Sequence, residues 1–267
     1  MRDAGVRGRD GRDAARPIAR ARTHGGVAFP AMTNHRLVHA SRPPDAKRPS
    51  RAHRAFAGLV IAAAIGACAT RYPLAKPEPT RLETQSPDSF TIRFVTSRGP
   101  FDVRVHRDWS PRGADRVYYL ARAKFFDGVR FFRVVDKFVA QFGLSGDTAV
   151  SRAWRSTSIQ DDVPVKSNVR GTLSFAAGGP NTRTTQMYIN FGDNSRLDRT
   201  GFAVFGQVIA GMDAVVDSIH HGYGEGAPRG QGPMQDRIGR EGNAYLIRGF
   251  PKLDYVITAR VTKEWKR

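Results

Sequence analysis

Apolar and polar residues alternate from Ser89 to Ser97, with Phe90, Ile92 and Phe94 on one face and Thr91, Arg93 and Val95 on the other. That is the period of a strand with one face turned to a core. Gly99-Pro100 turns the chain, and Phe101, Val103 and Val105 resume the alternation, which predicts a β-hairpin. Ser110-Pro111 opens a helix with a capping hydroxyl and a proline in the first turn. Val117, Leu120 and Ala121 follow at helical spacing until Asp127-Gly128 stops the element. Short strands come next over Val129–Val134, Phe138–Phe142, Gly171–Ala176, Gln186–Phe191 and Phe202–Val208, each bounded by Gly, Pro, Asn or Asp. Met212, Val215, Val216 and Ile219 recur as i, i+3, i+4 and i+7 and predict a second helix. The glycine-bearing segment His221–Pro251 reads as a surface loop, and a strand near Asp254–Thr262 ends the pattern. Many short strands with one early and one late helix predict a mainly β domain over residues 89–267. A closed antiparallel barrel suits it, because closure leaves no bare sheet edge.

Upstream the pattern is different. Residues 1–54 are rich in Arg, Ala, Gly and Pro and have no apolar period, so they are not expected to fold alone. Ala55–Ala67 is a short apolar run behind Arg48, Arg51 and Arg54, too brief to span a membrane and shaped like a secretory signal. Residues 1–67 are therefore expected to be a leader and signal segment, cleaved or disordered, with Met32 as an alternative start. The run ends in Ile65-Gly66-Ala67-Cys68, which resembles the lipobox of bacterial lipoproteins, where the cysteine becomes the first mature residue and carries lipid. Cys68 is the only cysteine of the chain, which favours lipidation over an incidental residue after an ordinary signal. Residues 68–88, with four prolines, then read as a tether. These features imply a bacterial protein of the cell envelope, in the periplasm or at the outer membrane, held to a membrane by its lipid.

The chain has 267 residues with a formal charge of +19, and 40% of them are hydrophobic. Its 16 Phe, 7 Tyr and 3 Trp exclude a wholly disordered chain. A charge of +9 falls within residues 1–67, from 13 Lys+Arg against 4 Asp, so cleavage of the leader would remove half of the basic excess. The folded part shows no interleaved aromatic and basic pattern, and nucleic acid is not expected as a partner. One cysteine excludes a disulfide framework and thiolate zinc sites.

Several enzyme classes fail on their motifs. There is no phosphate-cradling Gly-rich loop with Lys-Ser/Thr, no dinucleotide fingerprint after a strand and no serine in a nucleophile elbow. The seven His include no HExxH pair, His220-His221 are badly placed to share a metal, and Asp161-Asp162 reads as a solvated loop pair. No metal or cofactor is expected. What remains is a concentration of bulky apolar residues around one cation. Phe131-Phe132-Arg133-Val134-Val135 is followed by Phe138-Val139-Ala140-Gln141, and within a strand Arg133 would share a face with Phe131 and Val135. Taken alone, Arg133 could equally be an exposed arginine on the outer barrel face.

Three runs then act together: FFRVVDKFVAQ, LSFAAGGPNTRTTQMYI and RLDRTGFAVFGQV, in that order and at these separations. They resemble the cyclophilin family of peptidyl-prolyl isomerases, with GMDAVVDSI in the place of that family's second helix. The resemblance covers about Phe90 to Val261 and implies an eight-stranded closed antiparallel barrel capped by two α-helices, with a substrate groove on its outer surface. By position it makes Arg133 the catalytic residue. Phe138 and Val139 become the floor of a proline pocket with Gln141 beside it, and Ala176 and Gln186 hold substrate backbone. Tyr188, Leu197 and Phe202 complete the pocket. Ala177 and Arg196 depart from the family pattern, at positions where many members carry Asn and Trp. The implied function is cis-trans isomerisation of X-Pro bonds in exported proteins, by a monomer acting on proline-containing peptides. A non-catalytic proline-peptide binding module on the same fold is the alternative.

Overall fold

The computed structural model describes residues 74–78 and 82–266. The leader, the signal segment and Cys68 lie outside the described residues. Eight strands form one antiparallel sheet: β1 (Ser89–Thr96), β2 (Gly99–His106), β3 (Arg133–Val135), β4 (Val139–Phe142), β5 (Thr172–Phe175), β6 (Met187–Asn190), β7 (Val204–Ala210) and β8 (Val256–Trp265). Their spatial order is β3-β4-β6-β5-β7-β2-β1-β8. The sheet curls until its ends meet, where Arg130 bridges Tyr255 and the Val256 amide donates to the Val129 carbonyl at 2.8 Å. The expected strand over Val129–Val134 is thus two pieces. Residues near Arg130 close the barrel against β8, and β3 begins only at Arg133.

The two-residue period of each strand becomes the inside and outside of this barrel. Phe90, Ile92 and Phe94 of β1 and Phe101, Val103 and Val105 of β2 are buried in the core, where the Phe94 and Phe101 rings stack at 4.9 Å. One cross-strand row, Val134, Ala140, Ile189 and Leu173, belongs to the same core. The adjacent row, Arg133, Gln141, Tyr188 and Ser174, has the opposite direction by the pleat of the sheet. Phe131 and Arg133 do not share a face, contrary to expectation. Phe131 packs in the main core and Phe132 in a second cluster, because the chain is irregular between the closing bridge and β3.

Helix α1 (Pro111–Arg122) packs Val117, Leu120 and Ala121 on the core, as its spacing predicts. Its cap differs from the expectation. The Ser110 hydroxyl does not accept from the helix but donates to Asp162 Oδ2 at 2.5 Å, and that carboxylate accepts from the Gly113 amide at 3.0 Å. Asp162 is therefore a buried cap supplied from 49 residues away, not a solvated loop residue. Met212–Val216 is a five-residue π-turn in place of a longer helix, with the amides of Val215 and Val216 both donating to the Gly211 carbonyl. Val215, Val216 and Ile219 are nevertheless buried, so the spacing located the packing face.

Two helices were not expected. Helix α2 (Thr148–Trp154) is capped by Asp147, whose Oδ1 accepts from the Ala149 amide at 2.7 Å. Helix α3 (Gln235–Gly249) occupies the segment read as a loop and is kinked at Gly242. Ile238, Tyr245 and Leu246 of α3 form the second apolar cluster with Phe132 and Leu253. Among the described residues no helix is long and apolar enough to cross a membrane.

Candidate active site

The outward row of β3, β4 and β6 supplies the first wall of a groove of about 470 Å³. Arg133 and Gln141 are register partners across β3 and β4, and Gln141 and Tyr188 across β4 and β6. Side chains at such positions are neighbours on one face, so the sheet itself brings the cation, the amide and the phenol together. Val139 is two residues from Gln141 on the same face. Phe138 precedes β4, and its carbonyl accepts from the Phe191 amide at 2.9 Å and from Asn194 Nδ2 at 2.9 Å. Ala176 and Gln186 flank the ends of β5 and β6, joined by the Ala176 amide donating to the Gln186 carbonyl at 2.9 Å. Leu197, on the 3₁₀ turn Ser195–Thr200, and Phe202 close the far side. All nine groove residues expected from the sequence line this one cavity.

A chain of hydrogen bonds runs across the polar wall. Arg133 Nη1 donates to Gln141 Oε1 at 3.0 Å, and Gln141 Nε2 donates to Gln186 Oε1 at 3.0 Å. The apolar wall brings Tyr188 and Phe202 edge-to-face with ring centroids 6.0 Å apart. Phe138 lies between two guanidinium groups, 5.4 Å from Arg133 and 5.0 Å from Arg196, within cation–π range.

Behind the pocket a buried polar hub fixes these positions. Asn168 Oδ1 accepts from Ser174 Oγ at 2.8 Å, from the Tyr188 hydroxyl at 3.1 Å and from Asn190 Nδ2 at 3.2 Å. Asn168 Nδ2 donates to Asp198 Oδ1 and to the Phe202 carbonyl, both at 2.8 Å. One side chain thereby ties β5, β6, the 3₁₀ turn and the start of β7. Burial raises the Tyr188 phenol above its ordinary range, so it stays neutral and donates. Burial also disfavours the Asp198 carboxylate, but donors from Ser167 and Asn168 outweigh this and hold it below its ordinary value.

The groove also contains residues that sequence reasoning missed: Glu225, Arg229, Gln235, Thr182 and Thr184. Glu225 meets Arg133 across 92 residues of chain, with Arg133 Nε donating to Oε1 at 2.6 Å and Nη2 to Oε2 at 2.7 Å. The Arg133 guanidinium, with the Gly226 amide, holds the Glu225 carboxyl below its ordinary value against partial burial. No periodicity or motif marks Glu225, which sits among glycines in the segment read as a loop. Among the described residues no group of three His, Asp or Glu is placed to hold a metal ion.

A family model described as cyclophilin type peptidyl-prolyl cis-trans isomerase/CLD matches residues 91–238. A peptidyl-prolyl cis-trans isomerase of Acinetobacter baylyi is 31% identical over 133 residues, covering 48% of this chain and 70% of that protein. Peptidyl-prolyl cis-trans isomerase CYP18-2 of Arabidopsis thaliana is 33% identical over 135 residues, covering 49% and 79%. A cyclophilin type isomerase of Cryptosporidium parvum, solved in the presence of the dipeptide ala-pro, overlays with a TM-score of 0.47 at 17% identity, covering 65% of this chain and 99% of that one. The chain belongs to the cyclophilin-type peptidyl-prolyl cis-trans isomerases, and as an enzyme it falls in the class that rotates X-Pro bonds.

Proposed function

We propose that the groove binds an X-Pro segment of an exported protein and that Arg133 lowers the barrier to rotation without a covalent step. The observation that carries this reading is the juxtaposition of the Arg133 guanidinium with an apolar notch built from Phe138, Val139, Tyr188, Leu197 and Phe202. Rotation about a peptide bond is opposed by roughly 18–20 kcal/mol because the nitrogen lone pair is delocalised into the carbonyl. In the twisted state that lone pair returns to nitrogen and becomes a hydrogen-bond acceptor. A guanidinium offers five N–H donors in one plane, and three of those on Arg133 are engaged by Glu225 and Gln141. The two that remain are available to the proline carbonyl and to the pyramidal nitrogen. Phe138, Val139, Tyr188, Leu197 and Phe202 grip the ring and exclude water, which strengthens each charge-assisted bond. Gln141, Ala176 and Gln186 hold the flanking backbone so that only one side of the bond turns. An acceleration of about 10⁵-fold requires roughly 7 kcal/mol, within reach of preorganised donors plus orientation. The test is exchange between cis and trans forms of an Ala-Pro tetrapeptide with catalytic amounts of protein. Acceleration is expected, whereas binding without acceleration would leave a proline-peptide binding module.

The proposal extends to address. Signal-like Ala55–Ala67 and the single cysteine at Cys68 support removal of residues 1–67 and lipidation of Cys68, with the chain after Cys68 as the tether to an envelope membrane. Within that tether Leu74 and Leu82 already rest against the barrel core, and the Trp154 indole donates to the Leu74 carbonyl at 2.9 Å. Several acyl chains at roughly 0.8 kcal/mol per buried CH₂ would make that attachment stable. A monomer is sufficient, because one chain supplies every residue of the groove.

A further inference from the structure

We propose that Glu225 is a positioning residue for Arg133, delivered by a stiff loop after the π-turn so that the guanidinium presents one fixed edge to the groove. This rests on the isomerase reading of the groove. An arginine side chain is long and rotamer-rich, and Gln141 alone holds it at a single nitrogen. The Glu225 carboxylate takes the side-on fork of Nε and Nη2 in two parallel bonds, which fixes the plane as well as the place of the charge.

Glu225 is itself held from behind. The Gly232 amide donates to the Glu225 carbonyl at 2.8 Å, Gly226 bridges Gly232, and the Gly226 amide donates to Glu225 Oε1 at 3.0 Å. A side chain at Gly230 or Gly232 would collide with the Glu225 backbone, so the glycines there permit the close approach. The neighbouring Tyr223 and Phe250 pack edge-to-face at 5.2 Å, tying the loop to the α3 cluster.

Charge gives a second reason for a carboxylate here. Arg229 also lines the groove, so without Glu225 two guanidinium groups would face one cavity and repel. With it, the side-on edge of Arg133 is neutralised while two N–H donors stay free.

The experiment uses Glu225→Gln and Glu225→Ala with an Ala-Pro tetrapeptide, reading affinity by titration and the on-enzyme rate by exchange spectroscopy. Each variant should lose about tenfold in the isomerisation rate with the peptide dissociation constant changed within about twofold, as expected when orientation is lost and binding is kept. The Arg133 Nε–H, which donates to Glu225 Oε1 at 2.6 Å, should exchange slowly with solvent in the parent and lose that protection in Glu225→Ala. An unchanged or faster rate would overturn the inference. So would a slower rate explained wholly by weaker binding, or one accompanied in Glu225→Ala by an undisturbed Nε–H signal. A parent protein that fails to isomerise the peptide would count instead against the functional reading.

Discussion

At the scale of single residues, the groove depends on side chains that never touch its occupant. Asn168 is fully buried and has polar partners on five residues: Ser174, Tyr188, Asn190, Asp198 and Phe202. Replacing it with Leu takes this partner from the Ser174 and Tyr188 hydroxyls and from the Phe202 carbonyl, while Asn190 keeps Thr172 and Asp198 keeps Ser167. The loss should cost on the order of 2–4 kcal/mol in urea unfolding. It should also slow isomerisation by freeing Tyr188 and Phe202. Stability within about 0.5 kcal/mol of the parent would show that the hub is dispensable. The contacting residues were legible through the family resemblance, because the three runs that carry it hold all nine, in β3, β4, β6 and the flanks of β4, β5 and β6 or in the turn before β7. Glu225 was not legible, since its placement follows from loop closure among glycines rather than from any repeating pattern.

Elements show where local rules were overridden. Ser110-Pro111 does begin α1, yet the cap belongs to Asp162, which also lies 3.2 Å from both terminal nitrogens of buried Arg183. Burial alone would raise the Asp162 carboxyl, but the bonds from Ser110 and Gly113 and the Arg183 charge hold it below the ordinary 3.8. A carboxylate depressed on folding contributes stability that is complete above its unfolded value and is lost as pH falls through the folded one. Acid unfolding followed by circular dichroism should therefore set in below about pH 4, and Asp162→Asn should flatten that limb while lowering stability at neutral pH. Equal slopes in parent and variant would contradict this. Helix α3 escaped notice because Gly239, Gly242 and Gly249 mask the spacing of Ile238, Tyr245 and Leu246. The structural use of one of these glycines is plain. Gly242 has φ of +61° and ψ of −149°, and a side chain there would strike the Gly146 carbonyl. Gly242→Ala should thus destabilise by about 2 kcal/mol or more, read as a fall in Tm. An unchanged Tm would mean that the kink is not required.

For the whole molecule, the barrel and its outer groove followed from period-two strands and three ordered runs, whereas α2 and α3 arise from packing that only the closed structure reveals. The proposed address is a separate matter and rests on the sequence of residues 55–68 alone. Mass spectrometry of protein from the membrane fraction should find Cys68 as an acylated first residue, and an unmodified Cys68 or an intact leader would refute the anchor. At the centre stands Arg133, held by Glu225 and Gln141 beside an apolar notch. Arg133→Ala, compared with the parent in cis-trans exchange of an Ala-Pro peptide, tests that claim most directly. The kcat/KM should fall about 10²- to 10³-fold, as it does when a preorganised donor is removed, while Tm changes little. A folded Arg133→Ala protein that isomerises the peptide at the parent rate would contradict the account.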